Sequence, residues 1–167
     1  MITRISITYG TKQVLSKLQT RFPDRPLLLL DSSTSGEQLA LLDVSGQESV
    51  FSSPIHYDIT LHRGTTDWQG FVNFIYVDNL SADDQKVMNS KANHFVTTDP
   101  MPDGMRSIYF MKDEKNRSNN IILSTWDNAD DFSLWKKEAS FKPFSYFLTT
   151  QYNYHEASYH FFKPEVK

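Results

Sequence analysis

Apolar and polar residues alternate from the start of the chain. Ile5, Ile7 and Tyr9 are interleaved with Arg4, Ser6 and Thr8, the period of a strand with one covered face. Gly10 ends the run, and Thr11 is placed to cap a helix reaching Phe22, with Val14, Leu15, Leu18 and Phe22 spaced to share one side. Pro23-Asp24 stops it. Leu27 to Leu30 reads as a buried strand, and Ser32 to Gly36 as a turn of small polar residues. Leu39 to Val44 and Ser49 to Phe51 read as a hairpin turned at Ser45-Gly46-Gln47, and Ile55, Tyr57, Ile59 and Leu61 alternate up to Arg63-Gly64. Residues 1–64 are thus predicted as a small N-terminal αβ domain of order β-α-β-β-β, too thin to make a good core alone.

Gly64 to Gly70 is the predicted boundary, and residues 69–167 form the second unit. Phe71 to Val77 reads as a strand, and Ser81 caps a helix to about Phe95 whose stripe is Met88, Ala92 and Phe95. Met105 to Met111 and Ile121 to Trp126 are strands joined by the polar loop Lys112 to Asn120. A helix follows from Asn128 to about Lys142. Asp130 and Asp131 lie in its first turn, Phe132, Trp135 and Ala139 on one face, and Lys136 and Lys137 toward its end, with Pro143 to stop or kink it. A last strand falls near Tyr159 to Phe162. This β-α-β-β-α-β order is the ferredoxin-like one, so the fold class is α+β: a ferredoxin-like C-terminal domain, both helices on one face of an antiparallel sheet, with the smaller N-terminal αβ domain beside it.

Composition narrows the chemistry. At 167 residues the chain buries roughly 70% of its unfolded surface without staples. It has no cysteine, which excludes disulfides, thiolate metal sites and thiol catalysis and fits a reducing compartment. The net charge is −3 and Lys/Arg never run beyond two, so no nucleic-acid partner is expected. No apolar run exceeds the few residues of Leu27 to Leu30, and MITRISITYG lacks the apolar centre of a signal peptide; the expectation is a cytoplasmic protein with no membrane partner. Aromatic residues make up 14% of the chain, enough to line a slot for a large flat ligand or to build bulky cores.

The common catalytic and nucleotide motifs are missing: there is no GxGxxG, Walker loop, HExxH or GxSxG. His56 and His62 share a strand face without acidic partners, and His155 and His160 fall on opposite faces, so no metal site is expected. Asp83-Asp84 and Asp130-Asp131 sit at helix starts, where capping and solvation explain them. Asn73 fits its surroundings least, standing inside Phe71-Val72-Asn73-Phe74-Ile75-Tyr76-Val77. Two readings stand: an edge amide bonded to a neighbouring loop, or an amide directed with Phe71, Ile75 and Val77 into an apolar space.

Asn73 on the first strand of its unit, with Trp126 and Trp135 nine residues apart in TWDNADDFSLW, resembles the antibiotic biosynthesis monooxygenase superfamily, and within it the Gram-positive heme-degrading monooxygenases. The likeness spans roughly residues 69 to 162 and includes Asp103-Gly104, while ITYGT at Ile7 to Thr11 is similar to the two-part members, among them heme monooxygenases with an added N-terminal domain and the TRAP family. The resemblance implies a dimeric α/β barrel type of fold. It makes Asn73 the residue that hydrogen-bonds near the iron-bound oxygen and Trp135 the one that packs on heme and distorts it. Heme is the implied cofactor, with an external reductant as a partner. The family's axial histidine stands ten positions after that tryptophan, where this chain has Ser145, a poor heme ligand; Tyr146 beside it and His94 on the preceding helix are the other candidates. Two further readings follow from the same likeness: a cofactor-independent oxygenase of a flat aromatic substrate oriented by Asn73, and a non-catalytic TRAP-like binding or signalling protein. In simpler members two subunits pair their sheets into a barrel. The chain is therefore expected to be a homodimer, or a monomer if its N-terminal half takes the second subunit's place.

Overall fold

The computed structural model describes residues 2–32 and 39–162, so the turn expected from Ser32 to Gly36 lies outside the described residues except for Ser32, which ends a strand. Eight strands, β1 (Arg4–Gly10), β2 (Leu27–Ser32), β3 (Leu39–Asp43), β4 (Ile55–Gly64), β5 (Phe71–Val77), β6 (Met105–Asp113), β7 (Asn120–Trp126) and β8 (Tyr154–Phe161), close into one barrel. Its order is β1-β3-β2-β8-β5-β7-β6-β4, and the strand pairs are antiparallel. The second half contributes β8-β5-β7-β6, which is the ferredoxin-like order. The first half contributes β4-β1-β3-β2, the same order again, a repeat of arrangement that no sequence period announces. The halves join at two seams, β2 on β8 with Leu30 opposite Phe161, and β4 on β6 from Tyr57 opposite Asp113 to Gly64 opposite Ser107.

Alternation sorts the side chains. Ile5, Ile7, Leu42, Val72, Phe74 and Leu123 fill the barrel, so both halves share this interior. The outer face of the second half carries Ile75, Val77, Ile108, Phe110, Ile122 and Trp126 under three helices: α2 (Ala82–Thr97), α3 (Ala129–Trp135) and α4 (Lys142–Ser145). Ser81 and Asn128 cap α2 and α3 by accepting from the N–H groups of Asp84 and Asp131 at 3.1 and 3.0 Å. On the first half, α1 (Lys12–Arg21) is capped by Thr11 and buries Leu15 against Leu29, Leu41 and Phe51.

Several elements differ from their sequence expectation for identifiable reasons. Ser49 to Phe51 is not a strand: β1 and β2 already occupy both edges of β3, so no edge is left for a hairpin partner, and Phe51 instead packs outside the barrel beside Leu15. Val14 is exposed rather than part of the buried stripe of α1. The helix expected to run to about Lys142 stops at Trp135. Beyond Lys136, three-residue turn bonds such as Lys137 N–H to Leu134 O and Glu138 N–H to Trp135 O replace the helical ladder. The turn leaves Ala139 exposed and brings Phe141 and Phe144 under Trp135. Pro143 lies in the first turn of α4, where its missing N–H costs nothing. β8 starts at Tyr154, five residues before the strand expected at Tyr159. No helix among the described residues is long and apolar enough to cross a membrane.

Candidate functional site

The pairing of β5 with its two neighbours decides what surrounds Asn73. Ser124 of β7 lies opposite it on one side and Ser158 of β8 on the other, and alternation turns all three to the outer face under α3. Asn73 is 1% exposed. Its Nδ2 donates to Ser158 Oγ at 2.9 Å and reaches Glu156 Oε1 at 3.5 Å, while Oδ1 is buried with no partner among the described residues. Exchanging the amide's O and N leaves the other atom orphaned instead, so the imbalance does not depend on that assignment. Buried amides are normally satisfied, and an unsatisfied acceptor marks a place where a donor is missing.

Glu156 ties this amide to the helical layer. Its Oε2 accepts from Lys136 Nζ at 2.7 Å and from the Tyr154 hydroxyl. Ser124 Oγ accepts from Trp126 Nε1 at 2.8 Å. The result is a polar strip of Ser124, Asn73, Ser158 and Glu156 across three strands, walled by aromatic rings. Trp135, 1% exposed, is the hub of that wall: ring centroids of Phe141, Trp126 and Phe95 lie 4.7, 5.4 and 5.5 Å away, and its Nε1 donates to Ser140 Oγ at 2.9 Å.

A cleft of about 610 Å³ opens at one end of the strip, lined by Trp68, Phe71, Asn128, His160 and Phe162 among others. Phe71 and His160 are register partners, and each stands two residues from Asn73 or Ser158 on the same face. The cleft therefore abuts the polar strip. At its edge Gly70 has φ +88°, and a Cβ there would collide with the carbonyl oxygen of Trp126, so only glycine lets β5 begin against the end of β7.

Asn73 and Trp135 thus belong to one layer, joined through Glu156 and Lys136. The three candidate ligand positions do not converge on it. Ser145 is exposed, and its Oγ donates to the Lys142 carbonyl at 2.6 Å. Tyr146 is exposed, against Tyr152 and with Lys91 Nζ over its ring. His94 is also exposed and lies 3.3 Å from Asp99. With no donor of these three bonded to the layer, and with rings already packed on Trp135, these side chains do not fit an axially ligated heme. His56 Nδ1 pairs with Ser6 Oγ at 2.7 Å, His62 stacks on Tyr109, and no group of three metal-ligating residues forms among the described residues. Sequence reading misses Glu156 and Ser158, because it begins the last strand at Tyr159, and it weighs His160 only as a metal ligand. The signal present was polar alternation at every second residue from Tyr154.

No family model matches the chain, and no curated protein does. Solved structures match across nearly its whole length. A ferredoxin-fold protein related to antibiotic biosynthesis monooxygenases from Listeria monocytogenes is 24% identical, covering 99% of this chain and 97% of that one, with a TM-score of 0.75. A major regulator of staphylococcal pathogenesis is 18% identical over 96% and 99%, with a TM-score of 0.78. A heme-degrading enzyme from Listeria monocytogenes is 24% identical over 94% and 98%, with a TM-score of 0.70. The chain has the fold of the antibiotic biosynthesis monooxygenase-related proteins, and the α+β expectation holds at that level.

Proposed function

We propose that this protein is a monooxygenase of flat aromatic molecules that works without an iron ligand of its own, its substrate entering by the cleft at Phe71 and His160 and meeting Asn73. The observation that carries this reading is the buried Asn73 amide with an orphaned oxygen beside an aromatic-lined cleft. A phenolic or enolic hydroxyl on the substrate would satisfy that oxygen and fix the ring's orientation. The reaction class is oxidation of an acidic methylene in a fused aryl ketone. A proton leaves carbon, dioxygen adds to the carbanion, and loss of water leaves a carbonyl. Four electrons leave carbon, one oxygen atom stays and the other departs as water, so no external reductant is needed. Glu156, held by Lys136 and Tyr154, is the carboxylate available to take the proton.

The heme reading rests on Asn73, Trp135 and the fold, and lacks a ligand among Ser145, Tyr146 and His94. A non-catalytic reading is favoured by the rings already covering Trp135. Titration with hemin and, separately, with 1,8-dihydroxyanthrone distinguishes the three. The expected result is quenching of tryptophan emission by the anthrone through Trp68, weakened about tenfold in Asn73→Leu by loss of one buried hydrogen bond to the ligand, and no axially ligated heme spectrum. A histidine- or tyrosine-type heme spectrum without anthrone binding overturns this reading. Anthrone binding without oxygen uptake selects the non-catalytic one.

A further inference from the structure

A separate cavity of about 290 Å³ lies under α2, across β7 from Asn73. Its lining is apolar on both sides, Leu61 and Phe110 from the sheet and Met88 and Ala92 from α2. Its polar lining includes Lys112 and Asn89. On β6, Lys112 stands between Asp58 of β4 and Asn120 of β7. The charges around it are already matched without it. Asp58 is held by Arg117 at 2.7 Å and Arg4 at 3.9 Å, and Glu114 by Arg4 at 2.9 Å. Lys112 forms no ion pair among the described residues, and burial together with the nearby Arg117 charge lowers its pKa below the ordinary lysine value. Asn120 is spent on reciprocal hydrogen bonds with Gln85, and the Thr60 hydroxyl on the Phe110 carbonyl at 3.0 Å. Asn89 is exposed at the cavity mouth and uses its two oxygens, accepting from Gln85 Nε2 at 2.9 Å and Asn93 Nδ2 at 3.0 Å, while its own Nδ2 donates to no described residue and is open to solvent or a ligand.

An apolar lining that includes an unmatched cation and an unspent amide donor selects one ligand chemistry. We propose that this cavity binds a small amphipathic monocarboxylate, its chain on Met88, Ala92 and Phe110 and its carboxylate accepting from Lys112 Nζ and Asn89 Nδ2. Charge-assisted hydrogen bonds supply the selectivity and apolar contact the remainder.

Calorimetric titration of the full chain with octanoate, and with 1-octanol as a neutral probe of the same length, tests this. Octanoate is expected to bind at least tenfold more tightly than octanol. Lys112→Met, which keeps the length and removes the charge, abolishes that preference, and Lys112→Arg retains most of it. Equal affinity for the two probes, no octanoate binding, or an unchanged preference in Lys112→Met overturns the proposal. Should Lys112→Met fail to fold, the octanoate-over-octanol preference of the unaltered protein and its loss in Asn89→Leu decide it.

Discussion

Asn73 is the residue where function and stability are expected to part. Its amide makes one good hydrogen bond, to Ser158, and leaves one buried acceptor unsatisfied. Asn73→Leu removes both the gain and the penalty, so its unfolding free energy is expected within about 1 kcal/mol of the unaltered protein. A loss of about 3 kcal/mol in chemical denaturation would instead make Asn73 a purely structural amide. The tyrosines give a second prediction. Burial pushes Tyr109 up to about 12 and raises Tyr9 and Tyr76 from the usual 10.0. Between those values the folded chain holds protons that the unfolded chain releases. The Tyr109 contribution is therefore complete below pH 10 and lost as pH climbs through about 12, and those of Tyr9 and Tyr76 likewise disappear only above the ordinary tyrosine range. Phenolate absorbance should rise late and together with alkaline unfolding; early, independent ionisation would contradict it. At this scale the sequence was partly legible. Asn73 stood out because an amide is a poor fit in a β run. Glu156 did not, since its partners Asn73 and Lys136 are remote in sequence and only pairing brings them together.

Among the elements, the broken segment from α3 to α4 matters most for the site. Helical spacing in the sequence placed Phe132 and Trp135 correctly on a buried face and Ala139 wrongly. The competing demand was tertiary: Phe141 and Phe144 can reach the layer under Trp135 only if the chain turns after Lys136. Phe144 touches Phe95, Phe110 and Trp135 and is 1% exposed. Phe144→Ala should therefore cost about 3–5 kcal/mol in chemical denaturation. A cost below 1 kcal/mol would show that the α4 lid is not packed as described. At the other edge of the site, Gly70→Ala forces a side chain onto the Trp126 carbonyl at a positive φ. It should destabilise by roughly 1–3 kcal/mol and weaken anthrone binding, with a melt and a titration as the two checks.

At the scale of the whole molecule, local order was readable from periodicity, and the ferredoxin-like second half followed from it. Closure within the chain is not readable from periodicity and enters only as one of the two arrangements the resemblance leaves open, because the seams β2–β8 and β4–β6 join residues far apart in sequence and no local pattern encodes strand neighbours. Since Ile5, Leu42, Val72 and Phe74 share one interior, far-ultraviolet and tryptophan signals should report a single coincident unfolding transition. A barrel closed within one chain leads us to expect a monomer of 19.4 kDa in sedimentation; an obligate dimer would count against the N-terminal half standing in for a second subunit. Whether this barrel oxidises an aromatic substrate through the Asn73 layer is read from dioxygen uptake with 1,8-dihydroxyanthrone, in chelator and without added heme or reductant. One dioxygen should be consumed per anthrone at a rate well above the spontaneous reaction, reduced at least 100-fold in Asn73→Leu. Uptake no faster than without protein, uptake unchanged in Asn73→Leu, or uptake that requires hemin and an electron donor would contradict this reading.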